Sequence, residues 1–414
     1  MRRPRGSRAV RAGLVALVLG ATSLSGCTDD GDEPRPHLTG TASVGDRSVL
    51  DPWYEAARGS DGAAANLVVL GDSVSEGYGL EGRLERRWGD RVQSRLRQRA
   101  GAPACPRTPG GWHGTTSLVP ADYRAPSLPD PQVQGPTRPA GDVGPGGRAL
   151  ILEPGAEITW RVDAHSFDVG YRTTAGGGPL QVSVDGRVPL NGVAVSTDSA
   201  AGAGGSGQGE RRVWSSPDLA PGTHTVTVRN AMPAGSDLTA TVTDLTPFRG
   251  DRGRCVHVLD ASRSGVSVRT ITQSPGYVAD AVSLDPDLLI VPLGFNDRRA
   301  EIAPGDFGRS LDELLGQVRD EGYDGPVLLV GWFNPGIGSV GPSWPDYLAQ
   351  MRARTRHAGV SYVDLSVVLP RADPATGAYI DALHPSDVGH QLIADALIEV
   401  LVPRSVGTSG VPPG

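Results

Sequence analysis

Lysine is missing from this chain of 414 residues, so that all 39 of its basic side chains are arginine. Without a lysine amine, the chain cannot form a Schiff base, hold pyridoxal phosphate covalently or build a phosphate-binding P-loop. Acidic residues outnumber basic ones and give a net charge of −7, and the arginines are dispersed beyond the N-terminal residues. This charge balance argues against a nucleic-acid partner.

Cysteine and aromatic residues are also scarce, with three cysteines and an aromatic content of 5%. The spacings typical of metal ligands, His-x-x-x-His and Cys-x-x-Cys, do not occur in the sequence. Because structural and catalytic zinc sites commonly use such pairs, we expect no metal. We expect no other cofactor either.

The first 26 residues have the layout of an export signal. Five arginines and no acidic residue precede Gly13, and a short apolar run follows at residues 14–19. The next segment, Leu24-Ser25-Gly26-Cys27, resembles the bacterial lipobox, in which the cysteine becomes the lipidated first residue of the mature chain. We therefore expect an exported protein anchored through Cys27 to the outer face of the cell membrane. Cleavage near Ala21, with Cys27 left as a free thiol, is the alternative.

The other two cysteines are Cys105 and Cys255. An even pair in an exported chain predicts a disulfide. The two residues flank the central segment, so the bridge would join the points where the chain leaves and re-enters the domain around it. Two separately buried thiols are the alternative.

Hydrophobic periodicity predicts two architectures in one chain. On both sides of the centre, apolar strands alternate with amphipathic helices, which predicts an α/β domain with a parallel sheet flanked by helices. Between about residues 120 and 247, short alternating strands and turn signals such as Asp185-Gly186 predict an inserted antiparallel β-sandwich. Its aromatic residues Trp160, Tyr171 and Trp214 are either a platform for sugar rings or core residues.

These patterns define the predicted domain organisation. The segments are a signal peptide (1–26), a flexible tether (27–63), the first part of the α/β domain (64–119), the inserted β-sandwich (120–247), the second part of the α/β domain (248–403) and a disordered tail (404–414).

Three residues have the types and spacing of a nucleophilic site. Ser73 follows the apolar strand at residues 67–70, and the carboxyl ends of such strands border the ligand crevice of an open α/β sheet. Asp381 lies three residues before His384, a spacing that brings two side chains together on one face of a turn. An aspartate that orients a histidine, which in turn deprotonates a serine, is a known way to activate a hydroxyl. Read alone, Asp381 and His384 could simply cap the following helix.

Two residues that follow other strands are of types that can stabilise a negatively charged oxygen. Gly265 follows the strand at residues 255–259, and Asn296 follows the strand at residues 288–291. A glycine N–H and an asparagine amide are suitable donors for a developing oxyanion. Taken singly, both segments read as ordinary turns.

Together, the four blocks resemble the SGNH (GDSL) hydrolase superfamily in order and spacing. They are Gly-Asp-Ser at Ser73, a glycine after the second strand at Gly265, Gly-x-Asn-Asp at Asn296, and Asp-x-x-His at His384. The resemblance implies that Ser73 is the nucleophile and that its own N–H, the Gly265 N–H and the Asn296 amide form the oxyanion hole. The α/β-hydrolase pattern Gly-x-Ser-x-Gly does not occur around Ser73.

The sequence therefore predicts an extracytoplasmic serine esterase. The inserted sandwich favours an acetylated polysaccharide or other glycan as the substrate, by analogy with modules that bind carbohydrates. A lipid esterase or thioesterase is the first alternative. A glycan-binding lipoprotein without catalytic activity is the second.

Overall fold

The computed structural model describes residues 36–59, 63–80, 86–99, 105, 131–198, 209–336 and 342–402. The predicted signal peptide, Cys27 and the predicted tail lie outside these residues. Within the described ranges, no helix combines the length and the apolar character needed to cross a membrane.

A five-stranded sheet forms the centre of the α/β domain. Its strands, numbered along the whole chain, are β1 (Ala64–Val69), β11 (Cys255–Asp260), β12 (Leu288–Val291), β13 (Val327–Gly331) and β14 (Val360–Asp364). Their order across the sheet is β11-β1-β12-β13-β14, and all neighbours are parallel. Because the chain moves from β1 to one side and later to the other, the carboxyl end of β1 is the switch point at which such sheets bind ligands.

Helices cover this sheet on both faces, as the sequence predicted. They are α1 (Asp51–Ala57), α2 (Ser73–Glu76), α3 (Trp88–Arg99), α4 (Val268–Thr272), α5 (Pro275–Val282), α6 (Phe295–Arg299), α7 (Pro304–Asp320), α8 (Trp344–Ala353) and α9 (Asp387–Leu401). The longest, α7, buries Phe307, Leu311, Leu314 and Val318, which recur every three or four residues and form one apolar face. The predicted parallel α/β domain is confirmed.

The prediction of a flexible tether over residues 27–63 is wrong for its later part. A 3₁₀ helix at Arg47–Leu50 leads into α1, and Trp53 and Tyr54 of α1 are buried in the core of the α/β domain. Trp53 Nε1 donates to the Leu401 carbonyl at 2.9 Å, and the Tyr54 hydroxyl donates to Val400 at 2.7 Å. These contacts fasten the segment to the last helix, so it belongs to the folded domain.

The central segment folds as the predicted antiparallel β-sandwich. Its strands are β2 (Gln132–Gln134), β3 (Thr137–Gly141), β4 (Arg148–Leu152), β5 (Glu157–Ala164), β6 (Ser166–Arg172), β7 (Leu180–Val184), β8 (Arg211–Ser215), β9 (Gly222–Asn230) and β10 (Ala240–Phe248). One sheet has the order β3-β4-β10-β6-β8 and the other β2-β5-β9-β7. After β7, Asp185 and Gly186 have φ values of 51° and 74°, which is the positive-φ pair of a tight hairpin turn.

The aromatic residues of the sandwich do not form a sugar platform. Trp160, Tyr171 and Trp214 are only 2%, 8% and 7% exposed, and all three belong to the apolar core between the two sheets. Trp214 also uses its indole N–H to donate to the Asn191 carbonyl at 2.8 Å. A ring packed between sheets cannot stack on a ligand, so the platform hypothesis is wrong for these residues and the core alternative is correct.

The predicted disulfide between Cys105 and Cys255 is present. The two Cα atoms are 5.7 Å apart, and 150 residues of sequence separate them. Cys255 is the first residue of β11, where the chain re-enters the α/β domain after the insert. The bridge therefore ties the two ends of the inserted segment together beside the central sheet.

Candidate active site

Ser73 lies at the switch point of the parallel sheet. It is the first residue of α2, three residues beyond the hydrogen-bonded end of β1 at Leu70. Since β11 and β12 flank β1, the segments that follow these two strands lie on either side of Ser73. They carry Gly265 and Asn296, so the fold brings three of the four predicted sequence blocks to one edge of the sheet.

The fourth block reaches Ser73 from the segment between β14 and α9. His384 Nε2 lies 3.1 Å from Ser73 Oγ, and His384 Nδ1 lies 2.8 Å from Asp381 Oδ2. The three side chains thus form one hydrogen-bonded series. Asp381 and His384 do not cap α9, because that role belongs to Ser386, whose hydroxyl accepts from the Gly389 N–H.

The second oxygen of the Asp381 carboxylate is held by the backbone. Oδ1 accepts hydrogen bonds from the N–H groups of Leu383 and His384 at 2.7 and 2.6 Å. Partial burial alone would raise the pKa of Asp381, but the hydrogen bonds from His384 and from the two backbone N–H groups outweigh it and lower the pKa below its usual value. Asp381 is therefore a fixed carboxylate that accepts the Nδ1 proton of His384.

Gly265 and Asn296, the other candidate oxyanion donors, lie in the segments that follow the two strands beside β1. Gly265 has a φ of +83°, and a Cβ built there would meet open space. The Asn296 amide donates to the Val266 carbonyl at 2.9 Å, which fixes its orientation beside the Gly265 segment. Within the described part of the chain, no hydrogen bond uses the backbone N–H of Ser73 or Gly265 as its donor. Both N–H groups are therefore available to a ligand.

Two features near Ser73 differ from the sequence-based expectation or were missed. From its place at the predicted ligand crevice, we expect the Ser73 side chain to be exposed, yet only 7% of the residue is accessible. The Tyr78 ring packs on the His384 ring with centroids 4.3 Å apart. This contact was not predicted, although Tyr78 follows Ser73 by only five residues. It gives the imidazole a third contact, besides those to Ser73 and Asp381.

Two buried carboxyl groups, those of Asp72 and Asp297, belong to the residues adjacent in sequence to Ser73 and Asn296. Asp72 caps α2 by accepting from the Val74 N–H at 3.0 Å, and its other oxygen has no hydrogen-bond partner among the described residues. Burial raises the pKa of Asp72 to about 7, and burial also raises the pKa of Asp297 to about 6. The negative charge of Asp297 also contributes to the raised pKa of Asp72.

The raised pKa of Asp72 predicts an unusual dependence of stability on pH. Between about pH 4 and pH 7, the folded protein keeps a proton that the unfolded chain has lost, so the free energy of unfolding falls as pH rises through this window. Asp72→Asn keeps an oxygen for the Val74 N–H but cannot ionise. From pH 4 to pH 8, the wild type should lose up to roughly 4 kcal/mol relative to this variant.

Urea denaturation of both proteins at several pH values measures this difference. Asp346→Asn is the matched control, because Asp346 is an exposed carboxylate in the first turn of α8. Its curve should run parallel to that of the wild type. Parallel curves for Asp72→Asn and the wild type would show that folding does not raise the pKa of Asp72.

The described residues contain no group of three or more histidine, cysteine or acidic side chains that could hold a metal ion. The candidate site thus consists of a hydrogen-bonded series of serine, histidine and aspartate, with three candidate oxyanion donors. It lies at the switch point of the parallel sheet.

Comparisons with known proteins agree with this class of site. Residues 234–392 match the GDSL-like Lipase/Acylhydrolase family. This range holds Gly265, Asn296, Asp381 and His384, but it begins after Ser73, which the insert separates from the other blocks. No sequence match was found among proteins of curated function.

A solved structure has a similar fold. A peptidoglycan O-acetylesterase structure matches with a TM-score of 0.61 at 16% identity, covering 87% of this chain and 98% of that chain. So large a share of this chain must include part of the inserted sandwich. A family two carbohydrate esterase from Cellvibrio japonicus matches with a TM-score of 0.29 at 14% identity, covering 66% of this chain and 95% of that chain. A TM-score this low is no evidence of a shared fold. The family match and the shared fold together support the predicted SGNH/GDSL hydrolase superfamily.

Proposed function

We propose that this protein is an exported, lipid-anchored serine esterase that removes acetyl groups from a cell-envelope glycan. The observation that carries the proposal is the hydrogen-bonded series from Ser73 through His384 to Asp381 at the switch point of the sheet. A protein that only binds glycans has no need of a serine held in this way.

The proposed reaction has two halves. In the first, His384 Nε2 takes the Ser73 proton as Oγ attacks the ester carbonyl, and the same proton then passes to the departing alcohol. In the second, His384 deprotonates a water molecule that attacks the acyl-serine, and acetate leaves as Ser73 recovers its proton. The N–H groups of Ser73 and Gly265 and the Asn296 amide stabilise the tetrahedral oxyanion in both halves.

Two observations support the proposal: one concerns the glycan substrate, and the other concerns the location outside the cell membrane. A solved structure that shares the fold over most of both chains is that of a peptidoglycan O-acetylesterase, and the share of this chain that it covers includes part of the insert. The N-terminal Leu24-Ser25-Gly26-Cys27 segment supports lipid anchoring outside the cell membrane, where such a glycan lies.

The test uses the full chain in detergent. A fluorophosphonate probe should label the native protein and not the heat-denatured protein, and peptide mapping should find the label on Ser73. Acetate release from O-acetylated peptidoglycan is then compared with hydrolysis of p-nitrophenyl acetate, butyrate and octanoate and of an acyl thioester.

Three outcomes decide the proposal. Acetate release together with a fall in kcat/KM as the acyl chain lengthens would support a glycan deacetylase. Higher kcat/KM for octanoate or for the thioester would instead favour a lipid esterase or thioesterase. If the native protein takes no label, the serine mechanism is wrong, and the β-sandwich becomes the part to test for binding.

A further inference from the structure

Glu76 connects the Ser73 helix to the segment that carries Gly265. It is the last residue of α2, three residues after Ser73, and is 1% exposed. Its Oε2 accepts from the Ser264 N–H at 2.7 Å and also from the Ser264 hydroxyl. Since Ser264 directly precedes Gly265, one buried carboxylate holds the candidate nucleophile and one candidate oxyanion donor in a fixed relation.

The inserted sandwich supplies the cation that pairs with Glu76. Arg148, the first residue of β4, forms an ion pair with the other Glu76 oxygen and is only 5% exposed. Arg87 also lies near Glu76, and its guanidinium donates to Asp90 and Asp260, each at 2.8 Å. Arg148 is the cation that the inserted sandwich contributes to this buried carboxylate.

The residue before Arg148 reinforces the same contact. The Gly147 carbonyl accepts from Arg263 Nη1 at 3.1 Å, and Arg263 lies two residues before Gly265. A Cβ at Gly147 would lie 2.8 Å from the Tyr277 ring and 3.0 Å from Arg263 Nη1, so the close approach requires glycine. The Gly147–Arg148 corner of the sandwich therefore contacts Arg263 directly and Ser264 through Glu76.

We propose that Arg148 is a positioning residue for the oxyanion donors, and that the insert is in this way a part of the catalytic apparatus. Removing one partner of a buried ion pair leaves an uncompensated charge, which draws in water or moves away. Loss of the Arg148 guanidinium would therefore release Glu76, then Ser264, and shift the Gly265 N–H relative to Ser73. The proposal rests on the proposed function for the role of Gly265, but not for the contact itself.

The test compares three variants of the full chain. Arg148→Met removes the charge, and Arg148→Lys retains it. Arg172→Met is the matched control, because Arg172 of β6 is also a buried arginine of the sandwich that pairs with an acid of the α/β domain, Asp280 of α5. Asp280 makes no hydrogen bond or ion pair to Glu76 or Ser264 in the described residues.

Kinetics with p-nitrophenyl acetate give the first result. We expect Arg148→Met to lower kcat by roughly 10- to 100-fold with little change in KM, somewhat less than the loss of a whole oxyanion donor. Arg148→Lys should recover a large part of this loss, and Arg172→Met should change kcat less than about twofold. Equal losses in Arg148→Met and Arg172→Met would mean that only general stability is affected, and would overturn the proposal.

Amide hydrogen exchange at Ser264, whose N–H donates to Glu76, gives a second result that needs no activity. Exchange at this residue should become faster in Arg148→Met than in the wild type, and should remain unchanged in Arg172→Met. Unchanged exchange in Arg148→Met would overturn the positioning role whether or not the protein is an esterase. An inactive wild type whose exchange responds as expected would instead place the failure in the proposed function.

Discussion

Replacing Ser73 with alanine is expected to lower kcat for p-nitrophenyl acetate by roughly 10⁵- to 10⁶-fold and to abolish fluorophosphonate labelling. Alanine lacks the Oγ that would form the acyl intermediate, and His384 then has no hydroxyl to deprotonate. The fold should survive, because α2 is capped by Asp72 and not by Ser73. The measurement is kcat and KM for both proteins, together with the thermal midpoint of each.

Ser75 provides the matched control for this prediction. It is also a serine of α2, lies two residues further along the chain and is 4% exposed, but it has no hydrogen bond to His384. Ser75→Ala should retain most of the wild-type kcat and all of the labelling. If Ser73→Ala kept more than a small fraction of the wild-type rate, the nucleophile would have to be sought elsewhere.

Three residues of the site were predictable because each comes shortly after a strand in the sequence. Ser73, Gly265 and Asn296 come after three apolar runs, and parallel strands present their carboxyl ends at one edge of a sheet. Once the alternation of strands and helices predicts such a sheet, these residues must approach one another. The contact of His384 with Asp381 was predictable from their spacing of three residues.

Two wrong predictions had a usable signal in the sequence. Leu50, Trp53, Tyr54 and Ala57 follow the spacing of a buried helix face, although their polar and glycine-rich surroundings suggested a tether. Trp160 stands two residues from apolar neighbours on both sides in β5, and so shares their core-facing side. In both cases, periodicity was a better guide than composition or analogy.

The contact between Glu76 and Arg148 could not be predicted in this way. The two residues lie in different domains, and neither belongs to a motif or to a periodic pattern. Their approach depends on how the insert docks against the α/β domain, which long-range packing decides. The sequence does not show which charged residue a glutamate or an arginine will pair with. Only the fold shows that Glu76 and Arg148 form a buried ion pair beside the site.

Replacing Asp381 with asparagine is expected to lower kcat by roughly 10³- to 10⁴-fold with little change in KM. The structure gives the reason. Backbone N–H groups of Leu383 and His384 occupy Oδ1, so an asparagine would keep its oxygen there and turn its NH₂ group towards His384 Nδ1. The imidazole would then carry its proton on Nε2, the atom that must accept the Ser73 proton.

Two further variants separate this tautomer effect from a simple loss of charge. Asp381→Ala should cost less than Asp381→Asn, because the Asp381 side chain is 47% exposed and a water molecule can replace it as the acceptor of the Nδ1 proton. Asp387→Asn is the matched control, since Asp387 is an equally exposed carboxylate three residues after His384 that pairs with Arg91 instead. It should leave kcat nearly unchanged. Equal losses for Asp381→Ala and Asp381→Asn would show that the negative charge, and not the proton position on His384, is what Asp381 supplies.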